Sequence, residues 1–320
     1  MRPLGIILLT TILAMASCTK RQEALPYVGN ASAADSTTAN VAVLPTLSCL
    51  PVFYAQRMGM FDEAGLSVRL WRYRAQMDVD TSILRGHVQL AVSDPFRAVR
   101  LGSDSLHITA VMAIDEPLSL MALKGKRVKQ MQQMKEKTVA VCRLSCTEYW
   151  CQRMTSGSGL DLSQIFRPQV NDICLRADML RNGLLDAAML PEPYATWAAM
   201  EGHKRIRRTD GNDVCNALWV TPYSKGDSKS HEALAKTFAR IYQEAIDRMT
   251  RDAQADTIRA ILTSEYGLPP LLADTIQLPE MPKPRQVTEQ EMETVAGWLR
   301  EQNRLPKNYS TQDFLHRQIK

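Results

Sequence analysis

The chain has 320 residues, 45% of them hydrophobic, with 39 Lys and Arg against 34 Asp and Glu for a net charge of +5. That length and apolar content suit one two-lobed domain or two domains with real cores, which excludes disorder for the bulk of the chain. The charges are interspersed, and the sharpest basic cluster, HKRIRRTD at residues 203–210, is too small to argue for a nucleic-acid partner.

The N-terminus combines a basic start at Arg2, an apolar run from Leu4 to Ala16, and small residues before Cys18. The run is too short for a transmembrane helix, so residues 1–17 read as an export signal. Met15-Ala16-Ser17-Cys18 resembles the bacterial lipoprotein signal. That resemblance implies cleavage before Cys18 and lipidation there, with diacylglycerol on the thiol and an acyl chain such as palmitate on the amine. The anchored protein would be tethered to a membrane without spanning it. Residues 18–39 are polar, rich in Ala, Ser and Thr, and lack any helical or strand period, so they read as a flexible tether.

From residue 41 the pattern alternates. VAVLP and SVRLW have strand character, and PVFYAQRMGMFDEAG between them predicts a helix interrupted at Gly59 and ended at Gly65. DVDTSILRG predicts a short helix stopped at Gly86, followed by the strands VQLAV, ITAVMAI and LSLMALK. A second series then runs TVAVC strand, TEYWCQRMTSGSG helix, RPQV strand, RADMLRNG helix, DAAML strand, PYATWAAMEG helix and KRIRRTD strand. Apolar residues at helical spacing (Leu234, Phe238, Ile241, Ala245) make the remainder helical.

The two series are related. VAVLPTLSCLPVFYAQRM at 41–58 resembles VAVCRLSCTEYWCQRM at 139–154, and LRGHVQLAVSDP resembles LRNGLLDAAMLPEP, with Gly86 and Gly183 standing 97 residues apart (183 − 86). Two matches at nearly one offset imply two lobes built from the same βα units. The expected fold class is α/β, two-lobed, each lobe a mostly parallel sheet flanked by helices with two chain crossings between them.

In such sheets the crevice lies beyond the carboxyl ends of the strands. Ser48-Cys49 and Ser145-Cys146-Thr147 follow the first strand of each lobe and precede helix starts, whose free N–H groups can meet a ligand. Ser93-Asp94 and Glu192 follow paired strands, Asp115 ends ITAVMAI, and Asn171 follows RPQV. Three acids pointing into one cleft would repel an anion, for which Arg97 and Arg143 are the close candidate cations. A neutral or amine-bearing ligand fits these acids more simply: an amino-pyrimidine or similar nitrogen heterocycle, with Glu192 as chief polar anchor and Tyr54, Tyr149 or Tyr194 stacking on the ring. A sulfonate- or nitrate-type anion is the alternative.

Chemistry beyond binding finds little support. None of the five histidines sits beside a Ser or Cys in a nucleophile motif, and TSGSGLDL is not a dinucleotide loop. The cysteines after Cys18 (Cys49, Cys142, Cys146, Cys151, Cys174, Cys215) fit no zinc spacing, although export would permit disulfides. Neither an enzyme, a cofactor nor a resident metal is expected, and a monomer is.

LPVFYAQRMGMFDEAGLSVRL, ILRGHVQLAVSDP, GLLDAAMLPEPYATWA and VAGWLREQNRLPKNYSTQDF together resemble the periplasmic substrate-binding proteins of ABC importers, in the branch for nitrate, sulfonates, taurine and thiamine-pyrimidine precursors. The similarity runs over residues 41 to 315 in order, and because the same two-lobed family includes pyrimidine-synthesising relatives, the resemblance also implies, as a remoter alternative to binding, an enzyme of that kind. It implies a type II periplasmic-binding-protein-like fold whose lobes close on a small ligand, with an ABC permease and ATPase as partners and a location facing the periplasm. The hinge crossings fall near Leu120 to Lys126 and Cys215 to Thr221, giving lobe 1 as residues 40–122 and 220–320 and lobe 2 as residues 123–219.

Overall fold

The computed structural model describes residues 38–102, 106–209, 214–223, 228–251, 255–311 and 314. Cys18, the export signal at 1–17 and nearly all of the tether at 18–39 lie outside the described residues; β1 begins at Ala39, the tether's last position.

The first lobe is built from β1 (Ala39–Val43), α1 (Leu50–Arg57), α2 (Met60–Glu63), β2 (Val68–Arg72), α3 (Gln76–Leu84), β3 (Leu90–Ser93), α4 (Pro95–Gly102) and β4 (His107–Ile114). The second contains β5 (Leu118–Ala122), β6 (Val139–Ala140), α5 (Cys146–Ser156), α6 (Ile173–Arg181), β7 (Ala187–Pro191), α7 (Tyr194–Met200) and β8 (Lys204–Arg208). The chain returns to the first sheet through β9 (Ala217–Tyr223) and continues in α8 (Ser228–Arg251), α9 (Ala255–Ser264), α10 (Pro270–Thr275) and α11 (Glu289–Glu301). The interruption expected at Gly59 separates α1 from α2, where a φ of +70° suits a residue without Cβ.

The sheets have the orders β2-β1-β3-β9-β4 and β6-β7-β5-β8. Their organisation repeats. In each, the first strand after the Val-Ala-Val start pairs in parallel with the strand that ends in Ser93 or Pro191. The expected RPQV strand is reduced to isolated bridges, Thr138 with Phe166 and Val141 with Gln169, beside Pro168, which has no N–H to donate to a ladder.

Two expectations change. The sheets are mixed rather than mostly parallel: β3–β9, β9–β4, β7–β5 and β5–β8 are antiparallel. β5 and β9 are the strands by which the chain enters each lobe, so they start at the cleft where β1, β3, β6 and β7 end, and must run the other way. For the same reason the crossings fall earlier than expected, between Ile114 and Leu118 and between Arg208 and Ala217. The sequence boundaries at 122 and 220 therefore put β5 and the first residues of β9 in the wrong lobe.

The first core centres on Trp219, whose ring lies 4.8 Å from Phe238 and 6.2 Å from Tyr242 of α8. Tyr149 of α5 packs against Phe96 of α4 at 4.9 Å and Trp298 of α11 at 6.0 Å, so aromatic side chains join the lobes beside the crossings. Trp298 also donates from Nε1 to Gln152 at 2.9 Å.

Candidate ligand-binding site

The lobes meet through direct bonds along the cleft. Cys146 N–H donates to Asp94 Oδ2 at 2.6 Å, Leu47 N–H to the Glu192 carbonyl at 3.1 Å, and Ile173 N–H to the Arg74 carbonyl at 2.9 Å. Arg74 also pairs with Asp172 at 3.1 Å.

Between these contacts lies a cavity of about 70 Å³, bordered by Thr46, Gln76, Ser93, Asp94, Glu116, Cys142, Ser145, Cys146, Thr147, Asn171, Arg176 and Asn216 among others. A single water needs about 10–15 Å³, so this is room for a small solute. Leu44 borders both this inner cavity and a wider outer cleft of about 600 Å³, walled by Arg72, Tyr73, Arg74, Arg181, Tyr194, Trp197 and Tyr266.

Of the residues singled out in the sequence, Ser93, Asp94, Ser145, Cys146, Thr147 and Asn171 border the inner cavity. The others do not. Ser48 and Cys49 are wholly buried: the Ser48 hydroxyl pairs with Thr46 at 2.9 Å and the Cys49 sulfur accepts from Leu44 N–H at 3.4 Å. Tyr54 is buried within α1. Tyr194 faces the outer cleft, with its hydroxyl donating to the Tyr266 carbonyl at 2.9 Å.

The expected anchor, Glu192, is 1% exposed and engaged elsewhere. It accepts from Thr196 N–H at 2.9 Å, capping α7, and from Arg205 at 3.2 Å. Asp115 pairs with Arg285 at 2.7 Å, and its neighbour Glu116 takes the place at the cavity. Adjacent residues in extended chain point to opposite sides, so an assignment one residue off picks the wrong acid.

The helix N-termini that the sequence offers to a ligand are already occupied. Ser48 N–H donates to Glu116 Oε2 at 2.7 Å, in the first lobe's Ser-Cys loop. In the second lobe's copy Cys146 N–H donates to Asp94, whose other oxygen accepts from Phe96 N–H at 2.9 Å. Each N-terminus thus holds one of the protein's own carboxylates, a favourable place for negative charge. Burial nevertheless pushes Asp94 up to about 6 and Glu116 up to about 7, despite these hydrogen bonds.

The cation is one the sequence reading missed. Arg176 of α6 is 2% exposed and borders the cavity. Its Nε donates to the Met189 carbonyl at 2.8 Å and its Nη1 to the Val170 carbonyl at 2.7 Å. No carboxylate pairs with it and Nη2 has no partner among the described residues, while burial pulls its pKa down. A signal existed: Arg176 falls on the helical face shared by Ile173, Ala177 and Leu180, where an unpaired charge is out of place. Arg97 and Arg143, the expected cations, are instead committed to Asp80 at 2.5 Å and Glu148 at 3.2 Å.

The six cysteines among the described residues are free. Burial pushes Cys49 up to about 12 and Cys146 well above its ordinary value, so both are neutral thiols near pH 7. Cys146 Sγ donates to the Cys215 carbonyl at 3.6 Å. Among the described residues no cluster of three His, Cys, Asp or Glu could hold a metal, and no helix is long and apolar enough to cross a membrane.

Comparison with known proteins agrees with this architecture. The model of the family described as NMT1/THI5 like matches residues 47–255. The alkanesulfonate-binding protein SsuA from Xanthomonas axonopodis pv. citri bound to MOPS superposes with a TM-score of 0.73 at 15% identity, over 88% of this chain and 97% of that one. The periplasmic aliphatic sulphonate-binding protein SsuA from Escherichia coli gives 0.71 at 14%, over 87% and 97%. The periplasmic nitrate-binding protein NrtA from Synechocystis PCC 6803 gives 0.72 at 10%, over 89% and 86%. No curated protein sequence matches the chain.

Proposed function

Because the chain belongs to the NMT1/THI5-like family, we propose that it is a solute-binding protein that holds a small oxyanion-bearing ligand in the inner cavity, with Arg176 as the anchor. The observation that carries this reading is Arg176 itself: a desolvated guanidinium on the cavity wall with Nη2 unmatched. Leaving such a charge without a counter-ion costs several kcal/mol, which a bound oxyanion would recover. The solved structures of similar fold that bind an alkanesulfonate or nitrate support this ligand class. An amino-pyrimidine held by Glu192 has lost its anchor, since Glu192 does not border the cavity.

The rest of the reading follows from the family and the sequence. The lobes close on the ligand and hand it to an ABC permease and ATPase, and lipid on Cys18 holds the protein at the periplasmic face of a membrane. Cys18→Ala should leave an uncleaved or soluble species on fractionation. The direct test of the site is calorimetry of the purified protein against nitrate, sulfate, alkanesulfonates and amino-pyrimidines. Oxyanion binding that Arg176→Met abolishes, with the compound recovered chemically unchanged, supports the proposal. Tight binding of an amino-pyrimidine that ignores Arg176→Met would overturn it.

A further inference from the structure

The charge of the chain is not shared evenly between its lobes. Residues 118–209 carry 15 Lys and Arg against 8 Asp and Glu (15 − 8 = +7), while the whole chain carries +5, so everything outside the second lobe sums to −2 (5 − 7). The ligand cavity does not account for this excess, since Arg176 is the one cation on its wall among the described residues.

Topology gathers the excess at one end. β5 ends, and β6, β7 and β8 begin, on the side of the second sheet away from the cleft. Lys124 and Arg127 follow β5, Lys135 and Lys137 precede β6, and Lys204 opens β8 opposite Ala122. Lys124 is held beside β8, donating from N–H to His203 Nδ1 at 3.3 Å and from Nζ to the Glu201 carbonyl at 3.3 Å. Lys137 is half-buried and the other four are exposed, and no carboxylate pairs with any of the five among the described residues. The acids of this end are partly taken, Asp186 by Lys126 at 3.4 Å and Glu201 by Arg181 at 2.8 Å, which leaves Glu136 and Asp161.

The same end carries bare apolar side chains. Phe166 bridges to Thr138, next to the start of β6, and is 61% exposed; Leu184 lies just before β7 and is 68% exposed; Met200 ends α7 and is 47% exposed. Protection of a sheet edge explains Lys204, Arg207 and Arg208 on β8, the outermost strand, but neither the cations between β5 and β6 nor Phe166 and Leu184. Cations beside protruding apolar tips suit a lipid surface, where the cations approach phosphate headgroups and the tips enter the acyl boundary.

We propose that the cleft-distal end of the second lobe docks on an anionic phospholipid bilayer, with Phe166 and Leu184 entering the headgroup layer beside the lysines. The surface lies outside the ligand cavity and does not depend on Arg176. It does not depend on lipid at Cys18 either, although the two are compatible: residues 18–38 can span up to about 70 Å, comparable with the width of a folded chain of this length.

The experiment uses the full chain carrying Phe166→Trp, reconstituted with vesicles whose acyl chains are brominated, made of phosphatidylcholine alone or of an equimolar mixture with phosphatidylglycerol. The five native tryptophans are buried, so quenching by bromine reports the new side chain. In the anionic vesicles the added emission should fall about twofold or more relative to unbrominated lipid, and in phosphatidylcholine it should change little. Lys124→Glu combined with Lys204→Glu, both at exposed positions, should return the anionic signal to the phosphatidylcholine level, as should high salt. Quenching that is equal in the two compositions or absent from both overturns the proposal, and this arm does not need the charge-reversed variant; absence from both leaves the cations to an acidic protein partner. Quenching that persists in the folded charge-reversed variant overturns it as well. Flotation of the vesicles keeps the anchor separate. A chain that floats with both compositions yet shows no quenching is anchored but not docked, so only this proposal falls. A chain that floats with neither loses the anchor and the surface together, and one that floats and is quenched only with phosphatidylglycerol keeps the surface and loses the anchor.

Discussion

The inner cavity and the outer cleft lie between the same two lobes and share Leu44, yet they treat charge in opposite ways. In the outer cleft each arginine has an acid: Arg72 with Glu265 at 2.6 Å, Arg74 with Asp172 at 3.1 Å, and Arg181 with Glu201 at 2.8 Å. Arg181 also lies over the Trp197 ring at 3.7 Å. In the inner cavity, among the described residues, Arg176 donates only to backbone carbonyls, and the buried Glu116 has no cation paired with it and accepts from Ser48. The wider space is electrostatically complete and the narrow one is not. On the proposed reading the smaller space is the binding site, because affinity comes from groups whose hydrogen bonds are completed only by the ligand.

This contrast can be broken most decisively at Arg176. Arg176→Met keeps much of the side-chain volume and removes the charge, and oxyanion affinity should fall by about 100-fold or more, the scale of losing one partner of a buried pair. Calorimetry reads it, with circular dichroism confirming that the variant is folded.

Next in size is a change that separates stability from binding. Glu192→Ala strips the cap from α7 and leaves Arg205 unpaired, so unfolding by urea should show a loss of about 2 kcal/mol. Ligand affinity should move by less than about threefold, because Glu192 is not on the cavity wall. A larger loss of affinity would restore Glu192 as a ligand contact.

A third expectation concerns pH. Folded Asp94 and Glu116 hold their protons more tightly than the unfolded chain does, so the stability they contribute is present at acid pH and is lost as pH rises through about 6 and about 7. His203 acts in the opposite sense. Burial lowers its pKa from 6.5, so its contribution is lost as pH falls below that value. Glu116→Gln isolates one group: from pH 5 to pH 8 the wild type should lose about 2 °C or more of thermal midpoint beyond what the variant loses. Identical profiles would remove the assignment of Glu116 as a buried titrating acid.

The smallest effect belongs to the outer cleft. Arg72→Gln breaks a pair in which the arginine side chain is 35% exposed, and ligand affinity should change by less than about threefold. An effect comparable to that of Arg176→Met would move the binding site outward.

The sequence by itself determined the elements, apart from the RPQV strand, together with their order and their duplication. Strand and helix periods are local, so β1, β3, β7 and the α1–α2 break at Gly59 could be read from neighbouring residues. The repeat placed Ser145, Cys146, Thr147, Ser93 and Asp94 at strand ends, and these border the cavity because strand ends face the cleft in such sheets. Only the tertiary structure decided which charges are left without partners. Asp94 meets Cys146 across 52 residues of chain, Glu116 meets Ser48 across 68, and Asp115 meets Arg285 across 170. Whether an acid caps a helix, pairs with an arginine or waits for a ligand depends on these distant encounters and on which way one residue points at a strand end. No local period encodes either, which is why Glu192 and Asp115 read as ligand contacts while Glu116 and Arg176 passed unnoticed.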